Sequence, residues 1–250
     1  MLEINEIFGP TIQGEGKCTG NPSVFIRFGI CNMQCRDFGV EYETPSGIKR
    51  FGCDSFYASD SAFRDEWKKY KTSQSLIDDV SKIVPKYKVD IVITGGEPLL
   101  YWYDLEFQKF LKYYIDNEYL VTIETNASID IQLKEQWHEK ILFSMSVKLS
   151  NSGERISKRI NIQTLKNILN KSKESYLKFV VDKNFIKKAS NEINDILKKI
   201  PSCDVYLMPL GDTSELIDTN SLSVIELALE KGYKYSDRLH IRVWNNKRGV

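Results

Sequence analysis

The sequence predicts an α/β fold with a mainly parallel sheet, and three features carry that reading. From residue 74 onward, short β-branched runs alternate with amphipathic stretches of about three turns, the order that crossover helices between parallel strands produce. Most of the runs are continuously apolar, as strands covered on both faces are. The stretches between them repeat their apolar residues at the helical period.

The elements follow in order. Val24–Phe28 is the first predicted strand, and residues 36–73, rich in charge, aromatics and glycine, read as an irregular insertion after it. Leu76, Ile77, Val80, Ile83 and Val84 share one helical face, and the strand Val89–Thr94 comes next. A helix capped by Asp104 leads to the strand Leu120–Thr125, followed by strands Ile141–Val147 and Tyr176–Val181. Ile193, Ile196, Leu197 and Ile200 mark another helix, Val205–Met208 another strand, Asn220 a further N-cap, and Leu239–Trp244 a last strand. Roughly six or seven such units are too few for a closed eight-fold barrel and suit a partial barrel or an open doubly wound sheet. Both put function at the carboxyl ends of the strands. Residues 1–250 are expected to form one domain.

Lys and Arg total 35 against 34 Asp and Glu, so the net charge of +1 leaves no electrostatic footprint for a nucleic-acid partner. At 42% hydrophobic residues there is enough apolar material for a sizeable core. The absence of a long apolar run or a signal-peptide pattern predicts a cytoplasmic protein without a membrane partner. The five cysteines are odd in number and unevenly spaced, which in a reducing compartment favours metal or cluster ligation over disulfides. With His138 and His240 as its only histidines, the chain cannot build a His-rich metal site. His138 lies in a Lys/Glu-rich segment and is expected to be exposed.

Cys31 and Cys35 closely follow the first strand, and Cys53 comes later, with 17 residues between it and Cys35. Soft thiolates select zinc, copper(I) or iron–sulfur clusters. Three cysteines on a four-iron cluster leave one iron free to take a small molecule, whereas a fourth ligand from Cys18 would close the site as a zinc or electron-transfer centre. Cys203 reads as core. Further polar groups stand at strand ends: Thr94-Gly95-Gly96-Glu97-Pro98, Ile123-Glu124-Thr125-Asn126 and Ser144-Met145-Ser146-Val147-Lys148. Glycines there let a ligand approach the backbone, and a carboxylate beside them can take an ammonium group.

Cys-x3-Cys with a later third cysteine, joined to Gly-Gly-Glu-Pro, resembles the radical S-adenosylmethionine (SAM) enzymes, whose usual pattern is Cys-x3-Cys-x2-Cys. Arg36–Gly52 stands where that pattern has two residues. Glu6-Ile7-Phe8-Gly9-Pro10-Thr11-Ile12-Gln13-Gly14-Glu15-Gly16, Phe25-Ile26-Arg27-Phe28 and the C-terminal Trp244–Val250 narrow the resemblance to the 7-carboxy-7-deazaguanine synthase family, from residue 6 to the last. The implied fold is a partial (β/α)6-type radical SAM barrel with an extended, irregular cluster-binding loop. The implied chemistry is abstraction of a hydrogen atom from C6 of 6-carboxy-5,6,7,8-tetrahydropterin by a 5′-deoxyadenosyl radical. Ring contraction, return of the hydrogen and loss of ammonia then give 7-carboxy-7-deazaguanine, in queuosine or deazapurine biosynthesis.

Carried over residue by residue, the resemblance makes Cys31, Cys35 and Cys53 the ligands of a [4Fe–4S] cluster. It assigns SAM to Gly95, Gly96, Glu97, Glu124, Ser146 and Lys148, and the substrate to Ile12, Gln13, Gly14, Glu15, Arg27, Thr94, His240 and Val250. Arg27 offers a planar partner for the substrate carboxylate. Gln13, Gly14 and Glu15 match the hydrogen-bonding edge of the pterin. The family's Mg²⁺ takes a hydroxyl two residues after the third cysteine, here Ser55, with Asp54 as an alternative oxygen donor. Met208 stands where a glutamine next to the SAM adenosine is expected, and Ser55 where threonine is commoner. The resemblance also implies a homodimer and an electron donor such as flavodoxin or ferredoxin. Two other readings compete: a glycyl-radical-enzyme activase, and a non-catalytic four-cysteine module that uses Cys18.

Overall fold

Strand order decides between the two architectures the sequence allows. The computed structural model describes all 250 residues. The chain opens with β1 (Leu2–Ile12) and β2 (Pro22–Phe28), then a hairpin of β3 (Val40–Glu43) and β4 (Lys49–Gly52), the single turn α1 (Phe56–Ser59) and β5 (Lys68–Tyr70). Strands and helices then alternate: α2 (Ser73–Ser81), β6 (Asp90–Gly95), α3 (Leu105–Asp116), β7 (Val121–Thr125) and β8 (Leu142–Ser146). The short α4 (Ile156–Arg159), α5 (Ile162–Lys171), β9 (Tyr176–Val181), α6 (Ile186–Leu197) and β10 (Val205–Pro209) follow, then α7 (Ser214–Lys231), β11 (Lys234–Tyr235) and α8 (Leu239–Trp244). The main sheet runs β11-β10-β9-β8-β7-β6-β2-β1-β5, with every pair from β2 to β11 parallel and β1 antiparallel to both neighbours. A doubly wound sheet reverses its strand order at a switch point. Here β2 and β6 through β10 follow one another in chain order without reversal, which is the order of a partial barrel.

The two faces of the sheet differ in chemistry, because successive strand residues point to opposite sides. Ile26, Phe28, Ile91, Ile93, Ile123, Phe143, Met145, Leu177, Phe179 and Leu207 join the main core with Leu76, Phe107, Phe110, Leu165, Ile168, Ile193 and Val224 of the helices. Their alternates Arg27, Thr94, Glu124, Ser146, Lys178 and Met208 line a cavity on the inner side. The strands are therefore not apolar on both faces, and their polar members gather at the carboxyl edge. Toward the amino ends, Leu142, Tyr176 and Tyr206 close the inner side with Cys18 packed against them.

Several local expectations are corrected. Leu239–Trp244 forms helix α8 and not a strand, because β11 already occupies the edge beside β10. Its period-two pattern of Leu239, Ile241 and Val243 buries only Ile241, and Val243 is 57% exposed. Asn220 does not cap a helix but lies inside α7, whose N-cap is Thr213. Its side chain instead joins two loops, accepting from Lys183 N at 3.0 Å and donating to Leu210 O at 2.7 Å. Asp104 does cap α3, accepting from Glu106 N at 2.8 Å. Residues 36–73 contain a hairpin, a helical turn and a sheet strand.

His138 is buried, not exposed, at 3%. Its Nε2 lies 2.8 Å from Gln108 Oε1 and its Nδ1 accepts from Glu135 N at 3.3 Å, which fixes the Nε2–H tautomer. Burial, with Lys171 nearby, pushes its pKa down to about 4. Between the unfolded value near 6.5 and about 4, the unfolded chain binds the extra proton, so stability falls as pH falls through that window. The stability gap between wild type and His138→Gln, read from urea unfolding, should therefore narrow from pH 7 to pH 4.5; a pH-independent gap would refute the assignment. Phe143→Ala, which empties a fully buried site under the helices, should lower the unfolding free energy by about 3–5 kcal/mol. A loss below about 1 kcal/mol would mean that this face is not the structural core.

Candidate active site

A cavity of about 360 Å³ opens at the carboxyl edge of the parallel strands. Cys31, Cys35, Cys53 and Ser55 border it, as do Thr94, Gly95, Gly96, Glu124, Ser146, Lys148 and Met208 from the strand ends. Ile12, Gln13, Gly14, Glu15, Arg27, His240 and Val250 complete the group expected from sequence. Glu97 is the exception. It is fully buried and turned away, its carboxylate accepting from Thr125 Oγ1 at 2.6 Å, Asn126 N at 2.7 Å and Leu99 N at 2.9 Å. Glu97 thus shapes the β7 terminus beside the cavity.

Gly95, the last residue of β6, and Gly96 after it serve the cysteine loop through backbone contact. Gly95 has φ +127°, and a Cβ there would lie 2.1 Å from Phe28 O; a Cβ on Gly96 would lie 2.1 Å from Ile30 O. Only glycine lets this turn run against Phe28–Ile30, the segment that delivers Cys31. Gly96 N and Glu97 N donate to Phe28 O at 3.0 Å and Ile30 O at 2.9 Å.

Burial pushes all three thiols up, Cys31 well above its ordinary value, Cys35 to about 12 and Cys53 in the same direction, so a bound metal must displace their protons. Met33 N donates to Cys31 Sγ at 3.4 Å, and Cys53 Sγ lies 3.7 Å from Ser59 Oγ. No three His, Cys, Asp or Glu side chains converge on a single-ion site. Three soft donors spread round one cavity fit a multinuclear cluster better than one zinc ion. Cys18 does not border the cavity, which removes the closed four-cysteine module. Cys203 is half-buried against the main core. The residues between Cys35 and Cys53 form the β3–β4 hairpin, with Val40 paired to Gly52. Of its aromatics, Phe38 lines the cavity, Tyr42 stacks on Phe56 at 4.3 Å, and Phe51 is 53% exposed.

Polar side chains form two networks. Gln13 Nε2 donates to Glu124 Oε1 at 3.2 Å, and Thr94 Oγ1 donates to Glu124 Oε2 at 2.7 Å. Glu15 pairs with Lys178 and, at 2.9 Å, with Arg238 Nε; Arg238 also reaches Asp54 Oδ2 at 2.6 Å. Burial alone would raise Glu15, yet Lys178 and Arg238 hold it well below the usual carboxylate range, and Arg238 lowers Asp54 against its burial. His240 lies 3.9 Å from Glu15 Oε1, and its burial outweighs that carboxylate and keeps it below its ordinary value. Lys178 and Arg238 were not foreseen. Lys178 had a usable signal, a lone cation at an alternating position of an apolar strand, whereas Arg238 had none beyond standing two residues before His240.

Arg27 donates through Nε to Glu6 at 2.7 Å, leaving its two terminal nitrogens without a protein partner. Lys148 Nζ lies 2.8 Å from Ser146 Oγ and 3.0 Å from Ser146 O. Arg248 rests over the Tyr57 ring at 3.6 Å, bringing the C-terminal segment back to the cavity that Val250 borders.

No family model matches the chain. It is 32% identical over 266 residues to the 7-carboxy-7-deazaguanine synthase of Halobacterium salinarum, covering 98% of this chain and 91% of that protein. To the 7-carboxy-7-deazaguanine synthase of Rhodopirellula baltica it is 33% identical over 267 residues, covering 100% and 89%. The crystal structure of QueE from Escherichia coli superposes with a TM-score of 0.65 at 20% identity over 96% of this chain and 94% of that one, a likeness of fold.

Replacing Cys31, Cys35 or Cys53 by alanine should remove most of the iron bound after anaerobic reconstitution, whereas Cys18→Ala should leave iron per chain unchanged. Iron lost equally in all four variants would restore the closed site.

Proposed function

The chain belongs to the 7-carboxy-7-deazaguanine synthase family of radical SAM lyases, and we propose that its cavity is where 6-carboxy-5,6,7,8-tetrahydropterin becomes 7-carboxy-7-deazaguanine with release of ammonia, in queuosine or another deazapurine pathway. The observation that supports this most is convergence: three cysteines, the Gly95-Gly96 turn and the Gln13–Glu15 segment, distant in sequence, border one cavity. A [4Fe–4S] cluster and SAM supply the one-electron and hydrogen-abstraction chemistry when bound. The protein's own groups bind, orient and exclude water.

The free terminal nitrogens of Arg27 are placed to meet the substrate carboxylate as a fork. Glu15, anionic among its cations, offers carboxylate oxygens to the pterin's N–H edge, and Gln13, whose Oε1 accepts from Gly14 N and Glu15 N, holds that segment in place. His240, neutral at pH 7, can donate and accept within the same wall. Gly95, Gly96, Ser146 and Lys148 form the SAM wall, and Lys148 is the cation available to its carboxylate. For Mg²⁺, the Ser55 hydroxyl is the freer donor, because one oxygen of Asp54 is taken by Arg238 and the other accepts from Ser55.

The chain has no helix long and apolar enough to cross a membrane. The proposal also takes in a cytoplasmic setting, for which the five free cysteines speak. Resemblance alone supports the homodimer and a flavodoxin- or ferredoxin-like donor. The family assignment displaces the activase alternative.

The test is anaerobic reconstitution with iron and sulfide, followed by addition of SAM, Mg²⁺, reductant and 6-carboxytetrahydropterin, with mass spectrometry for 7-carboxy-7-deazaguanine. SAM cleavage to 5′-deoxyadenosine without that product would remove the substrate. Arg27→Met should raise the substrate KM roughly 30-fold or more, the cost of leaving a buried charge unpaired. An unchanged KM would take Arg27 out of the carboxylate site.

A further inference from the structure

Cys35 adopts a left-handed backbone conformation, φ 49° and ψ 48°, at the start of the 3-10 turn Arg36–Phe38. For a residue with a side chain this costs about 1–3 kcal/mol and persists only where the surroundings impose it. The backbone amides at this turn are held by Glu154, far along the chain. Its Oε1 accepts from both Gln34 N at 2.6 Å and Cys35 N at 3.1 Å. Its Oε2 pairs with Lys158 Nζ at 2.9 Å; the Glu154 side chain is 11% exposed and that of Lys158 43%. Gly153, at φ +77°, permits the approach, since a Cβ there would lie 2.7 Å from the Asp37 carboxylate carbon.

Glu154 is itself held from behind. Glu192 of α6 accepts from Ser150 N at 3.0 Å and pairs with Arg159 at 2.9 Å, and Arg159 donates to Lys148 O at 3.0 Å. The loop after β8 that carries Lys148 is thereby braced against α6, and Glu154 extends from it to the cysteine loop.

The three thiols differ in their hydrogen bonding. Cys31 Sγ receives Met33 N at 3.4 Å and Asn126 Nδ2 at 3.9 Å, and Cys53 has the Ser59 hydroxyl. Cys35 Sγ receives none, and the amide at its own position is turned to a carboxylate. Hydrogen bonds to cluster sulfurs and local charge set an iron–sulfur potential. An amide withdrawn from the sulfurs and an anion beside the ligand both disfavour an added electron.

We infer that Glu154 is a positioning residue that seats Cys35 and lowers the reduction potential of the cluster, with Lys158 as its counterweight. The inference rests on the reading that Cys31, Cys35 and Cys53 hold a [4Fe–4S] cluster. Its consequence is functional: a lower potential makes the reduced cluster a stronger donor toward SAM and demands a stronger reductant to charge it.

Two variants of the full chain test it. Glu154→Gln keeps an acceptor oxygen for the two amides and removes the charge; Lys158→Met leaves Glu154 uncompensated. After anaerobic reconstitution at low ionic strength, which limits screening of the half-exposed lysine, the reduced cluster is titrated potentiometrically by its EPR signal. The midpoint should move positive in Glu154→Gln and negative in Lys158→Met, at wild-type iron per chain. Midpoints equal to wild type, or shifted in the same direction in both, would overturn the inference. If Glu154→Gln loses its cluster, Lys158→Met decides: a negative shift supports the inference and no shift overturns it. Wild-type protein that takes up no iron would overturn the cluster reading and this inference together, whereas unshifted potentials in cluster-loaded variants overturn this inference alone.

Discussion

The open side of the partial barrel is closed by charge and hydrogen bonds instead of strands. The segment after β1 lies near one end of the parallel array, and β9 and β10 lie toward the other. Glu15 bridges them through Lys178 on β9 and Arg238 before α8, and Arg238 extends the bridge to Asp54 beside the third cysteine. Gly16 N donates to Ser236 Oγ at 2.8 Å and Leu239 N to Gly14 O at 2.9 Å, which sews the same two segments together. Burying such charges is expensive, and removing one partner strands the rest. The network therefore contributes more to the shape of the site than to net stability: it fixes where Glu15, Asp54 and His240 stand before any ligand arrives.

This closure leaves each face of the sheet to one task. The outer row, from Ile26 to Leu207, meets helices and supplies the apolar burial that holds the fold. The inner row supplies polar groups at the carboxyl edge and is sealed at the amino edge by Leu142, Tyr176 and Tyr206. Adjacent residues of one strand thus answer to different demands, as Lys178 and Phe179 do. Changes on the inner row can alter chemistry while the core stays intact, because the pleat separates the two sets of contacts.

What the sequence makes legible is what local pattern encodes. The strand order from Val89 to Met208 and the glycine turn after β6 stand where pattern places them, since each depends on neighbours in the chain. What escapes are relations made across it. Leu239–Trp244 alternates like a strand, but whether it joins the sheet depends on β11 already holding the edge. His138 sits among charges in sequence and becomes buried because Gln108 of α3 meets it. Glu97 joins Leu99 to Thr125 and Asn126 across two strand ends, a link that its local motif does not report. Lys178, Arg238 and Glu154 act through partners more than a hundred residues away, a separation no periodicity reports.

The departure from the usual cysteine spacing finds its reason in the same geometry. Seventeen residues between Cys35 and Cys53 look incompatible with ligands that must meet at one cluster. As a flexible loop they would add closure entropy, although only slowly with length. They form a hairpin instead, and its last pair, Val40 with Gly52, brings the two ends of the insertion together. The path from Cys35 to Cys53 across that pair is then short, running through the 3-10 turn Arg36–Phe38 and over to Gly52. Tyr42 stacked on Phe56, with its hydroxyl and Arg50 both on Asp60 at 2.8 and 2.7 Å, locks the hairpin to the turn that follows the third cysteine. The inserted residues thus carry their own fold, and they restore the short span between ligands that their number seems to forbid.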